Sequence, residues 1–322
     1  MYDKIDKKIV ALGGGTGLST MLRGLKKYTE ELSAVVTVAD NGGSSGILRR
    51  ELDMLPPGDI RNCILALAET EPIMEKVFQY RFTEGSLNGQ NLGNLFLAAL
   101  NGIFGSFEQA IEKTSEVLAV TGTVLPVTIE NVQLCAMYDD HSIVEGESEI
   151  VQVCKLDRKH IKHVWLEPKD PKPHDKVLEA IAETEVIVLG PGSLYTSILP
   201  NLLVNGISDA IAGSKAKVIY VSNIMTQPGE TDYYSLEDHI KVIEKYLGKG
   251  IIDYVIVNNQ GIPKDILELY VEDDAIPVTY HKDKLQESGI QVLEAPLLKI
   301  LKGTTLIRHN PDRLAEVIIS IV

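Results

Sequence analysis

A short apolar run, Lys8-Ile9-Val10-Ala11-Leu12, breaks directly into Gly13-Gly14-Gly15-Thr16-Gly17, after which Leu18, Met21, Leu22 and Leu25 recur at helical spacing. A strand, a glycine turn and a helix in that order point to an α/β fold. Glycines let the backbone approach a phosphate closely, and the helix behind them supplies free N–H groups and the positive end of its dipole. The turn is not a P-loop, because no Gly-Lys-Ser/Thr follows it. It is also an imperfect dinucleotide fingerprint, since Thr20 stands where the third glycine belongs. A tight structural turn is the bland alternative; the glycine density together with Thr16 favours a phosphate seat.

Further strands repeat the theme. Ala34-Val35-Val36-Thr37-Val38-Ala39 reads as a second buried strand, ending at Asp40-Asn41-Gly42-Gly43-Ser44-Ser45. Residues 60–119 are helical in pattern. Pro72 after Glu71 suits a first helical position, and Ser106 with Gln109 suits a capping box. Stretches 124–137 and 143–154 are rich in β-branched residues around an Asp139-Asp140-His141 turn. They predict an inserted antiparallel hairpin or small sheet over about 121–167. Strand signals return at Val186-Ile187-Val188-Leu189, Val218-Ile219-Tyr220-Val221 and Tyr254-Val255-Ile256-Val257. Asn310-Pro311 then opens a terminal helix. Strands apolar on both faces imply a parallel sheet between helical layers. The expectation is one doubly wound, Rossmann-like, mostly parallel α/β domain over 1–322, carrying that insert.

In such a sheet ligands bind beyond the carboxyl ends of the strands, where strand order reverses. Those ends carry the 13–17 turn, Asp40, a second glycine turn Gly190-Pro191-Gly192-Ser193, Asn223 and Asn258. Three readings stay open for Asp40: grip on a ribose diol, a hard-metal ligand, or an Asx-turn. In Pro56-Pro57-Gly58-Asp59-Ile60-Arg61-Asn62, Asp59 is placed as a helix N-cap or, facing the site with Asp40, as a partner for Mg²⁺ or a ligand hydroxyl. Arg61 is placed to meet a phosphate bidentately, whereas Arg49 and Arg50 read as a solvated face. No HxH, HExxH or GxSxG pattern occurs, and no nucleophile–base pair suggests covalent catalysis.

Composition narrows the partners. The 322 residues carry a formal charge of -14, which disfavours nucleic acid and anionic membrane surfaces. Cys63, Cys135 and Cys154 make neither a disulfide framework nor a zinc spacing. The charged start, residues 1–8, lacks a signal-peptide core, and no apolar run is long enough to span a bilayer. The expected location is the cytoplasm.

The 13–19 and 36–46 segments and the 56–62 turn closely resemble the gluconeogenesis-factor (YvcK-type) proteins, of the 2-phospho-L-lactate transferase superfamily with its CofD-like fold. So do Asn91-Leu92-Gly93-Asn94, residues 190–197, Asn223-Ile224-Met225-Thr226-Gln227, Gly229-Glu230-Thr231-Asp232 and Leu306-Ile307-Arg308-His309-Asn310. The resemblance implies a bacterial protein that binds UDP-sugars such as UDP-N-acetylglucosamine and supports cell shape and wall synthesis on gluconeogenic carbon. A homo-oligomer and a protein partner in wall regulation are expected with it. The transferase relatives move a phospholactyl-type group from a nucleotide donor to a deazaflavin with Mg²⁺ held by acids, and Asp40 and Asp59 match those acids. Asn41 stands where that pattern usually has an aspartate, which counts against transferase chemistry. Tyr270 and Arg308 match positions linked to UDP-sugar binding, for stacking on uracil and holding pyrophosphate. The full expected nucleotide set is Gly13, Gly14, Gly15, Thr16, Gly17, Asp40, Asn41, Ser44, Asp59, Arg61, Asn62, Asn94, Gly190, Gly192, Ser193, Asn223, Tyr270 and Arg308, with no catalytic residue assigned. The alternatives are a Mg²⁺-dependent transferase and an NAD-binding protein.

Overall fold

The computed structural model describes residues 4–157 and 159–322; the first three residues of the charged N-terminal stretch and residue 158 lie outside it. In chain order the strands of the first half are β1 (Ile9–Gly13), β2 (Leu32–Val36), β3 (Thr123–Pro126), β4 (Gln133–Tyr138), β5 (Ile143–Glu145) and β6 (Ile161–Glu167). The second half adds β7 (Val186–Leu189), β8 (Lys217–Val221), β9 (Tyr254–Asn258), β10 (Gln291–Ala295), β11 (Leu298–Ile300) and β12 (Ile307–His309).

Seven strands form one parallel sheet in the order β10-β9-β8-β7-β1-β2-β3. From β1 the chain walks through β2 to β3, returns to the centre at β7, and walks the other way to β10. Strand order therefore reverses between β1 and β7, where Leu12 lies opposite Leu189. Right-handed crossovers running in opposite directions put their helices on opposite faces, so both central strands are covered twice. Every residue of β1 and β7 is buried accordingly. Each such Val, Leu or Ile contributes roughly 1.5–3 kcal/mol by leaving water. The same continuous core reaches Leu134, Ala136, Tyr138 and Val164 of a second, antiparallel sheet of order β5-β4-β6. This is the doubly wound α/β arrangement expected.

The helices of the first half are α1 (Gly15–Leu25), α2 (Gly43–Leu52), α3 (Gly58–Leu67), α4 (Pro72–Gln79), α5 (Leu92–Phe104), α6 (Phe107–Val117) and α7 (Glu147–Asp157). Pro72 occupies the first turn of α4, and the Ser106 side chain caps α6 by accepting from Gln109 N–H at 3.4 Å. The terminal helix Pro311–Ile319 is capped by Asn310, which accepts from Asp312 and Arg313.

Three stretches differ from the sequence pattern. β2 ends at Val36 rather than Ala39: the Thr37 hydroxyl accepts Ala39 N–H at 3.3 Å and bends the chain, while Val38 and Ala39 stay buried and so read as strand. Of stretch 143–154 only Ile143–Glu145 is strand, and α7 follows. Ile150 and Cys154, four residues apart, bury one helical face. Glu147 and Glu149 at its start and Lys155 near its end suit the helix dipole. In stretch 124–137, β3 joins the large sheet and only β4 belongs to the small one.

Candidate functional site

The carboxyl ends of β1 and β7 open into a cleft of about 570 Å³. Its base is made by the two glycine turns, which touch. A Cβ on Gly17 would lie 2.3 Å from the Pro191 carbonyl oxygen, and one on Gly14 would lie 2.7 Å from Asp59 Oδ2. Glycine at these two positions is thus demanded by the approach of turn to turn and of carboxylate to turn. Asn201 ties the assembly together, its Nδ2 donating to Gly13 O at 3.0 Å and Ser197 O at 2.8 Å. The start of α1, at N-cap Gly14, has no side-chain cap, and neither has the short helix Leu194–Ile198 behind Ser193. Gly14, Gly15, Thr16 and Gly17 line the cleft, so the start of α1, capped by no side chain of its own turn, borders the cavity beside Asp59.

The second turn is braced from the end of β8. Asn223 Nδ2 donates to Gly192 O at 3.0 Å and to Gln227 Oε1 at 3.2 Å, while Gln227 Nε2 donates to Ser193 Oγ at 2.7 Å. Beneath it Glu230 accepts from Tyr195 N–H and from the Thr196 hydroxyl, both at 3.2 Å. Burial pushes its carboxyl up to about 7.

Asp59 does not cap α3. That helix begins at Gly58, whose N–H donates to Ser45 Oγ at 3.1 Å, so the Asp59 side chain turns to the cleft and accepts from Gly15 N–H. Burial, and next the Asp40 carboxylate, push Asp59 up to about 7. Asp40 Oδ1 accepts Gly42 N–H at 2.8 Å in an Asx-turn, and the turn still leaves Asp40 lining the cleft. Glu147, at the first residue of α7, adds a further carboxylate to the wall. Burial first, then Asp40, Asp59 and Glu230, push it well above its ordinary range.

The far end is less polar. Ile224, Met225, Ala275 and Ile307 of a small separate apolar cluster line it, with Tyr270 packed against that cluster. Tyr270, in the helix Lys264–Glu272, accepts Ile307 N–H on its hydroxyl at 2.8 Å and so pins β12. Next along β12, Arg308 reaches the cleft with its Nε buried and unpartnered, and its Nη1 donates to Ile307 O at 2.7 Å. His309 Nε2 donates to Ser222 O at 3.1 Å, and burial lowers that imidazole to about 4, so it is neutral.

Of the residues expected here, the cleft gathers Gly14, Gly15, Thr16, Gly17, Asp40, Asp59, Gly192, Ser193, Asn223, Tyr270 and Arg308. Gly13 and Gly190 lie at the strand ends outside its lining. Arg61 extends away into a buried polar network, donating to Asn94 Oδ1 at 2.9 Å and Asn62 Oδ1 at 2.8 Å. Asn94 Nδ2 in turn donates to Ser44 Oγ at 3.1 Å. Arg61, Asn62, Asn94 and Ser44 therefore brace the site from behind; burial lowers Arg61 to about 10, and its charge still acts on Asp59 and Asp40. Asn41 also lies outside the lining and faces α7. Arg49 is not a free surface charge: it holds Asn131 Oδ1 at 2.9 Å and the Val132 carbonyl. Glu147, Lys155, Ser197, Asp273 and His309 are lining residues to which the sequence reading gave no role. The acid-first, base-last charge order of α7 is the signal that could have revealed two of them.

Among the described residues no three His, Cys, Asp or Glu side chains converge as a metal-binding group. Asp40 and Asp59 fit a Mg²⁺ only in the manner that ion favours, with one or two carboxylates and the remaining positions filled by water and ligand phosphate.

These features define a doubly wound α/β protein with its cleft at the strand-order switch. The chain belongs to the CofD family, whose model, described as 2-phospho-L-lactate transferase CofD, matches residues 9–298, and within it to the gluconeogenesis-factor group. It is 53% identical to a relative from Thermoanaerobacterium thermosulfurigenes over 98% of this chain and 97% of that one. The gluconeogenesis factor of Halalkalibacterium halodurans is 46% identical, over 97% of this chain and 96% of its own. The crystal structure of a UPF0052 family protein from Bacillus halodurans superposes with a TM-score of 0.92 at 45% identity, covering 97% of this chain and 99% of that one. Among the described residues no helix is long and apolar enough to cross a membrane.

Proposed function

We infer that the cleft binds a nucleoside-diphosphate sugar of the UDP-N-acetylglucosamine type, and that the protein works as a cytoplasmic regulator through that binding rather than by turnover. The observation that carries this reading is the pairing, across one cleft, of the glycine turn that opens α1 with Tyr270 and the buried, unpartnered Nε of Arg308. The former suits a pyrophosphate, and the latter two suit a base and a second anionic contact. A cavity of about 570 Å³ is of the size such a ligand needs. The naming of its relatives as gluconeogenesis factors supports a role on gluconeogenic carbon, and the resemblance adds cell shape and wall synthesis to that role as part of the proposal. Calorimetric titration with UDP-N-acetylglucosamine is expected to give a saturable heat. No heat and no thermal stabilisation at millimolar ligand removes the reading.

A Mg²⁺-dependent transferase of the 2-phospho-L-lactate type is the second reading, supported by the family match and by the Asp40–Asp59 pair. It requires Mg²⁺-dependent product from a nucleotide donor and a deazaflavin, lost in Asp59→Asn; a wild-type protein without turnover sinks it. NAD, the third reading, rests on the Gly13–Gly17 turn and Asp40 at the switch point, and a thermal-shift comparison of NAD with UDP-sugar decides between them.

A further inference from the structure

Asn41 and α7 present an arrangement that ligand binding alone does not explain. Asn41 Nδ2 donates to Glu149 Oε2 at 2.6 Å, and its Oδ1 accepts Ser148 N–H at 3.0 Å. Ser148 N–H belongs to the first turn of α7, where backbone donors have no partner inside the helix. Asn41, more than a hundred residues earlier in the chain, caps that turn from outside. The amide has one workable orientation, since the reverse would face NH₂ to N–H and oxygen to carboxylate. Space is equally tight. A Cβ on Gly146 would lie 2.5 Å from Asn41 Nδ2, and one on Gly229 would lie 2.8 Å from Val151 O of α7. An aspartate at 41 would keep the contact to Ser148 but set two carboxylates against each other.

α7 is the element that brings Glu147 and Lys155 to the cleft. The lining otherwise holds Asp40, Asp59 and Asp273 against a single strong cation, Arg308. A diphosphate entering this wall needs a second positive charge.

We propose that Asn41 is a positioning residue that clasps the first turn of α7, and that Lys155, held in place by this clasp, contacts the phosphates of the bound ligand. The proposal rests on the nucleoside-diphosphate-sugar reading of the cleft. It makes Asn41 a clasp where the transferase pattern would have an acid.

The test uses the full chain, two readouts and four variants. Calorimetry with UDP-N-acetylglucosamine measures affinity, and amide hydrogen exchange without ligand measures the order of α7. Asn41→Asp is expected to weaken binding at least tenfold and to speed exchange across α7. The double variant Asn41→Asp with Glu149→Gln reverses the polarity of the contact, because the carboxylate introduced at position 41 then accepts from both Ser148 N–H and the new amide. It is expected to return affinity to within about threefold of wild type and to slow exchange again. Lys155→Met is expected to weaken binding as much as Asn41→Asp while leaving exchange unchanged, and adding it to Asn41→Asp is expected to cost little more. Wild-type affinity in Asn41→Asp despite loosened α7, or a double variant as weak as Asn41→Asp, overturns the clasp. Unchanged binding in Lys155→Met overturns its ligand role. If the wild type itself gives no heat, the ligand reading fails, and the exchange arm still decides whether Asn41 and Glu149 hold α7.

Discussion

The two ends of the cleft are built on different foundations. The glycine-turn end sits on β1 and β7, wholly buried strands of the main core, and its turns are locked to each other by Asn201 and by the contact of Gly17 with Pro191. The Tyr270–Arg308 end sits on a small cluster around Ile224, Met225, Ile266 and Ile307, separate from that core, with β12 held by its pairing to β11, the Tyr270–Ile307 bond and the His309–Ser222 bond. The first end cannot shift without disturbing the fold; the second can loosen alone. On the proposed reading, the phosphate seat stands on the rigid part, and the part that would select among ligands on the softer one.

The sharpest way to break this contrast is to disturb each end and compare. Gly17→Val drives side-chain carbon into the Pro191 carbonyl and forces the turns apart. A loss of roughly 3 kcal/mol or more is expected by chemical denaturation, with binding abolished. A Gly17→Val protein that keeps wild-type stability would show that the turns are not a rigid unit. Arg308→Ala should do the reverse. It removes a charged contact without touching the main core, so affinity for the UDP-sugar should fall about tenfold to a hundredfold with the melting temperature nearly unchanged. Equal effects on stability from both variants would erase the distinction.

The same contrast governs what could be read from sequence. The 13–17 turn was legible because its signals are local: an apolar run, clustered glycines and a helical repeat within eighteen residues. The switch point followed from the parallel sheet. Arg61 was misplaced because its partner, Asn94, stands 33 residues away and no local pattern announces it. Glu147 and Lys155 were hidden by the β-branched content of α7, which imitates a strand until Ile150 and Cys154 are seen to share a helical face. Tyr270 and Arg308 were reached only through resemblance, since long-range packing alone brings the helix Lys264–Glu272 to β12.

Protonation gives a smaller effect, centred on the glycine-turn end. Asp59 has a folded value of about 7, above its unfolded one, because of burial and Asp40. It therefore adds stability that is complete below about pH 4 and is lost as pH rises through 7. A diphosphate beside it raises its proton affinity further, so binding takes up a proton above pH 7. Affinity should fall by up to about tenfold from pH 7 to pH 8 in the absence of Mg²⁺. Asp59→Asn should remove its share of that profile, leaving the part carried by Glu147 and Glu230, and raise the melting temperature at pH 8. Bound Mg²⁺ works the other way, since it needs the carboxylates ionised; an affinity that rises with pH would favour the transferase reading.

The mildest perturbation tests the soft end by itself. Tyr270→Phe keeps the ring and its packing against the small apolar cluster but removes the acceptor of Ile307 N–H. A part-buried donor left unpaired costs about 1 kcal/mol. That cost falls on β12, so amide exchange of 307–309 should quicken while β1 and β7 stay protected. Stacking on the base survives in the variant, but Arg308 loses the fixed strand that presents it. A drop in affinity of a few-fold is expected, with a binding enthalpy less favourable than wild type. Were exchange to quicken equally in β1, the two ends would share one cooperative unit. The separate cluster beneath Tyr270 would then be part of the main core in all but contact.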